Sequence, residues 1–150
     1  MIGISLYKAP PYILQKINDV CNLLKQGKKE YEQVAAAVTD KDQRRTMLSL
    51  AQESNQYACE LSSQIHALGG IPEIEKIDEV LITDQIKNAT GEEEIIILCQ
   101  KNEKKMISAY RDILNESFLY EGVRKMICYQ VNQMLCAFMQ AKQIGSLKFH

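Results

Sequence analysis

The sequence predicts an all-α fold, an antiparallel four-helix bundle made of two helical hairpins joined by a long crossover. Apolar residues recur every three or four positions along four stretches, which is the spacing of one helix face. Glycine and proline mark the ends of these stretches, with Gly27 as the interior exception, and no segment alternates with period two over a useful length. At 150 residues, the chain is long enough to bury the core of one domain without staples.

The first two helices are predicted over about residues 12–38 and 41–68. Pro11 suits a first helical position, where its missing N–H costs nothing, and Asp40 can cap the second helix. The glycine pair 69–70 can supply the left-handed residue that ends it. The predicted core stripes are Leu14, Ile17, Cys21, Leu24, Tyr31, Val34 and Val38 on the first helix and Met47, Leu50, Ser54, Tyr57, Leu61, Ile65 and Leu68 on the second.

The other two long helices are predicted to begin at about residue 90 and near Glu121. The segment Thr90-Gly91-Glu92-Glu93 has the pattern of a capping box, and its acidic residues suit the positive end of a helix dipole. The predicted core stripes are Ile95, Cys99, Asn102, Met106, Ala109, Tyr110 and Ile113 on the third helix and Val123, Ile127, Gln130, Met134, Ala137, Phe138, Ala141 and Ile144 on the fourth.

The lengths of the connections predict the topology. Short links near residues 39–40 and 118–120 force antiparallel hairpins. A helix of about 25 residues is about 38 Å long, and the segment 71–90 can cross that length, as in a ferritin-like bundle. We therefore expect one domain over 1–150, with residues 1–11 as an N-terminal extension. The crossover residues expected to lie against the bundle, with a helical turn or two, are Ile71, Ile74, Ile77, Val80, Leu81, Ile82 and Ile86.

Composition argues against several classes of partner. The net charge of −1 and the mixing of basic pairs with acids predict no nucleic-acid binding. The longest apolar run, 95–99, is far short of the ~20 residues of a membrane span, and no secretory signal is visible at the N-terminus. The five cysteines include no C-x-x-C pair and are expected to be small buried hydrophobes in a reducing compartment, which predicts a cytoplasmic protein.

The ferritin-like arrangement raises the question of a metal centre. Di-metal bundles place Glu on two helices and Glu-x-x-His on the other two. Here the second helix offers Glu53-Ser54-Asn55-Gln56, and the fourth offers only amides over 130–133. His66 is expected at the rim, and Glu30, Glu53 and Glu103 are expected to be flanking charges paired with lysines such as Lys28. The sequence therefore predicts no metal or cofactor, and nothing in it argues for an enzyme.

The middle of the predicted bundle is nevertheless polar. Three residues, Gly27, Ser54 and Asn102, interrupt the apolar stripes. Buried amides and hydroxyls need partners, so we expect a hydrogen-bonded layer that sets helix register or holds water, or that hosts a small ligand. The residues assigned to this central layer are Gly27, Tyr31, Glu53, Ser54, Tyr57, Asn102, Glu103 and Tyr110.

The fourth helix carries a second apolar stripe beside its core stripe. Monomers rarely expose a contiguous apolar patch, so either the crossover or a second subunit is expected to cover it. Self-association, with a dimer as the simplest case, is the leading partner hypothesis. The residues of this second stripe are Cys128, Val131, Leu135 and Met139.

Four segments carry a family resemblance: 26–31, 51–57, 68–72 and 99–110. They contain Gly-x-x-x-Tyr, Ala-Gln-Glu with a following aromatic residue, a Gly-Gly-x-Pro helix exit, and a cysteine followed by Glu103 and Tyr110. Over roughly 13–144, the chain resembles an uncharacterised bacterial domain-of-unknown-function family of ferritin-like four-helix bundles. The resemblance implies the fold and a bacterial, cytoplasmic setting but no activity. Gln100 stands where that family usually has Glu, and the crossover lacks its customary tryptophan.

Two hypotheses about function follow. The first is a non-enzymatic bundle that acts through self-association or partner binding. The second is a bundle that binds a metal or a small ligand at a degenerate di-metal site in the central layer, through Glu53 and Glu103.

Overall fold

The computed structural model describes residues 8–73, 79–87 and 92–148. These residues form five helices and no strand, which confirms the predicted all-α class. The four long helices lie where the spacing predicted them, and a short helix occupies part of the crossover. The helices are α1 (Pro11–Ala37), α2 (Lys41–Ala67), α3 (Glu79–Lys87), α4 (Glu92–Leu114) and α5 (Glu121–Lys148).

The ends of the first hairpin have the chemistry that the sequence predicted. Pro11 occupies the first position of α1, and the Asp40 carboxylate accepts a 2.9 Å hydrogen bond from the Gln43 N–H at the start of α2. Gly69 ends α2 with a φ of 86°, and the N–H of Gly70 donates to the Ile65 carbonyl in a Schellman motif. The predicted capping box of α4 lies partly outside the described residues.

The four long helices contact one another in a ring. α1 packs against α2 and α4, and α5 packs against the same two helices from the other side. Lys16, early in α1, pairs with Asp112 late in α4, while Gly27 approaches Asn102, so α1 and α4 run antiparallel. Since the short link also makes α2 antiparallel to α1, α2 and α4 run in the same direction. The connection between them therefore has to return along the length of the molecule.

The described helix of the crossover, α3, packs on α1. Within α3, Ile82 and Ile86 are buried, as predicted. The prediction is wrong for Ile71, which is 83 % exposed, and for Leu81, which is 53 % exposed. The prediction fails for Leu81 because α3 buries only one side. It fails for Ile71 because the chain leaves α2 at the surface. Ile74, Ile77 and the side chain of Val80 lie outside the described residues.

Two asparagines that the sequence analysis did not single out hold the start of the crossover. Asn18 Oδ1 accepts a 2.9 Å hydrogen bond from the N–H of Glu73, and Asn22 Nδ2 donates to the Glu73 carbonyl at 3.1 Å. Both asparagines are buried and lie one helical turn apart on α1. The backbone of Glu73 is therefore bound from both sides, which fixes where the chain leaves the first hairpin.

The cysteines divide between the core and the surface. Cys21 and Cys99 are buried, as predicted, and all five thiols are free. Cys59 and Cys136 are exposed, and Cys128 is half-buried, so the prediction of five buried cysteines is wrong. Cys59 and Cys136 each lie between core positions and therefore point outward. No helix in the described ranges has the length and apolar character that a membrane span requires.

Candidate functional site

A close approach of α1 and α4 forms one end of the polar interior. A Cβ atom built on Gly27 would lie 3.0 Å from Asn102 Nδ2, 3.1 Å from Met106 Cε and 3.5 Å from the Tyr31 ring. A side chain at this position would therefore require the ends of the Asn102 and Met106 side chains to shift by a few tenths of an ångström. This contact brings Gly27, Tyr31 and Asn102 together, as the sequence predicted.

Several buried polar atoms in this interior have no hydrogen-bond partner among the described residues. Tyr31 is fully buried and lies near Asn102, but neither its hydroxyl nor Asn102 Nδ2 makes a hydrogen bond of good geometry. Glu30 Oε1 on α1 and Ser54 Oγ on α2 are likewise unpartnered. Buried polar groups without partners are costly, so a water molecule or another polar group bound to any one of these atoms would be stabilising.

Two carboxylates flank this polar interior. Burial raises the pKa of Glu30 to about 7, with the charge of Lys105 opposing the shift. Burial also raises the pKa of Glu103 to about 7; the charge of Lys142 lowers it, and that of Glu30 raises it. Each carboxyl is therefore poised to exchange a proton near neutral pH.

Glu30 departs from its predicted role as a flanking, lysine-paired charge. It is only 8 % exposed, and Lys28 forms its ion pair with Glu32 instead. The cause is geometric: α1 contacts α4 as well as α2, so the residue beside the Tyr31 stripe faces a second helix and not solvent.

A second polar network joins α2, α4 and α5. The Tyr57 hydroxyl donates a 2.8 Å hydrogen bond to Glu53, and the Tyr110 hydroxyl donates a 2.9 Å bond to Gln130 Oε1. Gln130 Nε2 donates in turn to the Tyr57 carbonyl at 3.4 Å and to Glu60 Oε1 at 3.2 Å. Gln130 was predicted as a core residue only, and Glu60 was missed, because spacing within one helix does not reveal which polar groups meet across helices.

The predicted central layer is thus two clusters. Gly27, Tyr31, Asn102 and Glu103 lie around the α1–α4 contact, whereas Glu53, Tyr57 and Tyr110 belong to the network around Gln130. Ser54 is buried on α2 and makes no hydrogen bond with either cluster among the described residues. Glu53 accepts a hydrogen bond from Tyr57, and Glu103 interacts electrostatically with Glu30. The described residues contain no group of three or more His, Cys, Asp or Glu side chains able to hold a metal ion, so the donor set does not fit a di-metal centre. His66 is exposed, as expected; His150 lies outside the described residues.

A surface groove between α4 and α5 is the other candidate site. Its apolar lining comes from Ile107 on α4 and from Leu135, Phe138 and Met139 on α5. Met139 is 61 % exposed, which is high for so large an apolar side chain. The basic residues along the groove are Lys104, Lys105, Arg111 and Lys142.

The groove contains only part of the second apolar stripe predicted for α5. Leu135 and Met139 line it, but Val131 is 6 % exposed and packs inside its own chain, and Cys128 is half-buried. α5 contacts both α2 and α4 and therefore buries a wider arc than its core stripe. Of the two covers that the sequence left open, the crossover contributes α3 among the described residues, and this helix packs on α1.

Comparison with known proteins adds one finding about family. A family model described as a domain of unknown function (DUF2383) matches residues 12–116. That range spans α1 to α4 and includes the residues of the α1–α4 polar cluster on both helices. A search of curated proteins returns no match.

Proposed function

The chain belongs to the DUF2383 family of domains of unknown function, and we propose that it is a non-enzymatic protein that acts by binding further copies of itself. We assign it a ferritin-like four-helix bundle, because the ring of helix contacts and the long return between α2 and α4 are typical of that fold. The family resemblance supports a bacterial source. Five free thiols suit a reducing cytoplasm.

The observation that carries this proposal is the exposed apolar surface of the α4–α5 groove. Leu135 and Phe138 form its floor beside α4, and Met139 stands largely in solvent at its edge. An open apolar groove between two helices is the usual receptor for a third helix, which docks through residues one turn apart. Covering the groove would remove this apolar surface from water.

The test is the oligomeric state of the purified protein. Sedimentation velocity and light scattering over a wide range of concentrations are expected to show a mass above that of one chain. Met139→Ser combined with Leu135→Ser should shift the protein toward monomer. The matched control is Leu48→Ser, because Leu48 is 49 % exposed on α2 and does not line the groove. A wild-type protein that stays monomeric at every concentration would overturn the proposal.

A second candidate function is favoured by the unpartnered atoms of the α1–α4 cluster. Glu30 Oε1, the Tyr31 hydroxyl and Asn102 Nδ2 are buried there without a hydrogen-bond partner among the described residues. This set offers both donors and acceptors, which suits a small polar molecule held through hydrogen bonds.

Mass spectrometry of small molecules released from the denatured protein tests this candidate, together with elemental analysis of protein purified without chelator. A stoichiometric small molecule that is lost in Asn102→Leu and retained in Asn55→Leu, an exposed control on α2, would support it. Stoichiometric metal would instead contradict the argument from the donor set. A protein that releases no small molecule would eliminate this candidate.

A further inference from the structure

The outer surface of the adjacent helices α2 and α5 differs in charge from that of α4. None of the twelve exposed residues in the stretches 49–63 and 129–140 is Asp, Glu, Lys or Arg. On α4, by contrast, six of the eight exposed residues between 94 and 112 are charged. Of the twelve, Met139 lines the groove. We call the other eleven the amide face: Ser49, Gln52, Asn55, Gln56, Cys59 and Ser63 on α2, and Tyr129, Asn132, Gln133, Cys136 and Gln140 on α5.

The carboxylates that lie within these stretches bind donors of their own chain. Glu53 and Glu60 on α2 are only partly exposed. Glu53 accepts a hydrogen bond from the Tyr57 hydroxyl. Glu60 accepts hydrogen bonds from the Gln56 and Gln130 amides at 3.3 and 3.2 Å. The side chains that the amide face presents to its surroundings are therefore mainly amides, hydroxyls and thiols.

One large aromatic side chain stands on this face. Tyr129 is 58 % exposed, and its ring meets the buried Tyr57 ring edge-on, with 6.4 Å between the ring centroids. Since Glu53 holds the Tyr57 hydroxyl, the surface against which Tyr129 packs is itself fixed. A tyrosine that is held in place before binding loses little conformational entropy when a partner covers it.

The composition of the amide face is typical of the buried part of a protein interface. Such surfaces are depleted in Lys, Glu and Asp and enriched in tyrosine. Absence of charge also bears on the identity of the partner. An amide is both donor and acceptor, so the face is complementary to a second copy of itself, and two copies brought together meet no like charges among its residues.

We propose that the amide face is a contact between two copies of this chain, in which the same face of each copy meets the other across a two-fold axis. A two-fold contact uses the face of both copies in one closed dimer. The α4–α5 groove contains none of the residues of the amide face, so each copy in the dimer keeps its groove for further association. The inference rests on the proposed self-association and adds a second, independent contact to it.

Opposite charges placed on the amide face test this inference. The acidic variant is Gln133→Glu with Gln140→Glu, and the basic variant is Gln133→Lys with Gln140→Lys. Both are made in a parent protein with Leu135→Ser and Met139→Ser, in which the groove contact is absent and the two-fold dimer is expected to remain. Because the axis brings each altered face against its own copy, each variant alone should weaken the dimer by about a hundredfold.

The matched control changes two exposed amides elsewhere, Gln26→Glu on α1 and Gln85→Glu on α3, in the same parent. This control should dimerise as the parent does. Circular dichroism and thermal melting establish that all variants are folded, and sedimentation velocity gives the dissociation constants.

An equimolar mixture of the acidic and basic variants gives the decisive result. It should form a 1:1 dimer with a Kd within about tenfold of that of the parent, since opposite charges now meet. A mixture that stays monomeric contradicts the two-fold contact. If the wild type associates but the parent is monomeric, the inference fails while the groove contact stands. If the parent has the same mass as an associated wild type, the groove contact fails instead. A monomeric wild type overturns both.

Discussion

The two hairpins of this protein, α1–α2 and α4–α5, are closed by the same device but packed in different ways. Arg44 is the fourth residue of α2, and its guanidinium donates to the Ala35 and Val38 carbonyls at the end of α1, at 3.2 and 3.0 Å. Arg124 is the fourth residue of α5, and it donates to the Leu114 carbonyl at 2.8 Å and to the Glu116 carbonyl. In both hairpins, the second helix satisfies the open carbonyls at the end of the first.

Beyond the turn, the hairpins diverge. α1 and α2 pack closely along their length, and the buried residues of α2 that face inward include Ala51, Ser54 and Ala58. α4 and α5 bury Tyr110 and Met134, and a groove opens between them. Small side chains let helix axes approach, and large ones hold them apart. The turn thus sets the direction of a hairpin, while the residues beyond the turn set how closely its two helices pack.

The largest expected effect comes from enlarging a small residue in the tight hairpin. Ala58 is fully buried on α2, and its carbonyl accepts a hydrogen bond from the Cys21 thiol. Ala58→Leu should lower the free energy of unfolding by about 3 kcal/mol, because the added atoms have no space between α1 and α2. Urea denaturation measures the change.

Ala109→Leu is the matched control for that substitution. Ala109 is half-buried on α4 and lines the groove, so leucine has room there and should change stability by less than about 1 kcal/mol. Equal losses from the two substitutions would show that the hairpins are packed equally tightly, contrary to the comparison.

Loss of the hydrogen bonds that Arg44 and Arg124 donate to the hairpin carbonyls is expected to give the next largest effect. Arg44→Ala and Arg124→Ala should each cost about 2 kcal/mol, since each removes charge-assisted hydrogen bonds to two carbonyls. Thermal melting with calorimetry measures both, and Arg45→Ala, at an exposed neighbour, should cost under about 0.5 kcal/mol. A loss at only one of the two arginines would mean that the hairpins are not closed alike.

Glu30, which lies between the two hairpins, makes the free energy of unfolding depend on pH. Its pKa is about 7 in the folded protein and ordinarily 4.5, so the folded state holds its proton more tightly than the unfolded chain. The contribution of Glu30 to stability is therefore fully present below pH 4.5 and is lost as pH rises through 7. Glu30→Gln should raise the unfolding free energy at pH 8 by about 1–2 kcal/mol and leave it nearly unchanged at pH 4.

Denaturant unfolding at the two pH values measures this effect of Glu30. Glu32→Gln serves as control: it breaks only the ion pair with Lys28 on the same helix, worth a few tenths of a kcal/mol. A Glu30→Gln protein with the same pH profile as the wild type would show that the carboxyl is ionised without penalty in the folded state.

The smallest expected effect concerns the start of the crossover, where Asn18 binds the backbone of Glu73. Asn18→Ala removes the acceptor for the Glu73 N–H and should cost about 1 kcal/mol. Hydrogen exchange should accelerate at Glu73 and in α3 but not in α4 or α5. Gln15→Ala, which removes a surface bond to Asp19, is the control and should leave exchange unchanged. Acceleration throughout α4 and α5 would show that the crossover stabilises the second hairpin as much as the first.

The sequence predicted the helices well because their signals are local. The Asp40 cap, the left-handed Gly69 and the three-to-four spacing depend on residues within a few positions of one another. The extent of burial on α1 was not predictable in this way. α1 contacts α2, α3 and α4, so Asn18 and Glu30, which lie off its single apolar stripe, are buried as well.

The arrangement of the polar interior was likewise not predictable from local sequence signals. Spacing placed Tyr31, Tyr57 and Tyr110 at one level but could not show that they fall into two clusters. That division depends on which helices are neighbours: α1 meets α4 at Gly27, while α5 brings Gln130 to Tyr57 and Tyr110. Such contacts depend on the order of helices around the ring, which connection lengths constrain only in part.

The central position of α1 also bears on how the chain folds as it is made. α1 leaves the ribosome before α4, yet its Gly27 and Glu30 face depends on α4 for cover. Translation at about 5–20 residues per second leaves that face without its partner for several seconds. Polar side chains such as Glu30, Asn18 and Asn22 lie among the apolar ones on α1. They reduce the contiguous apolar surface that the nascent hairpin exposes during that delay, and with it the tendency to aggregate.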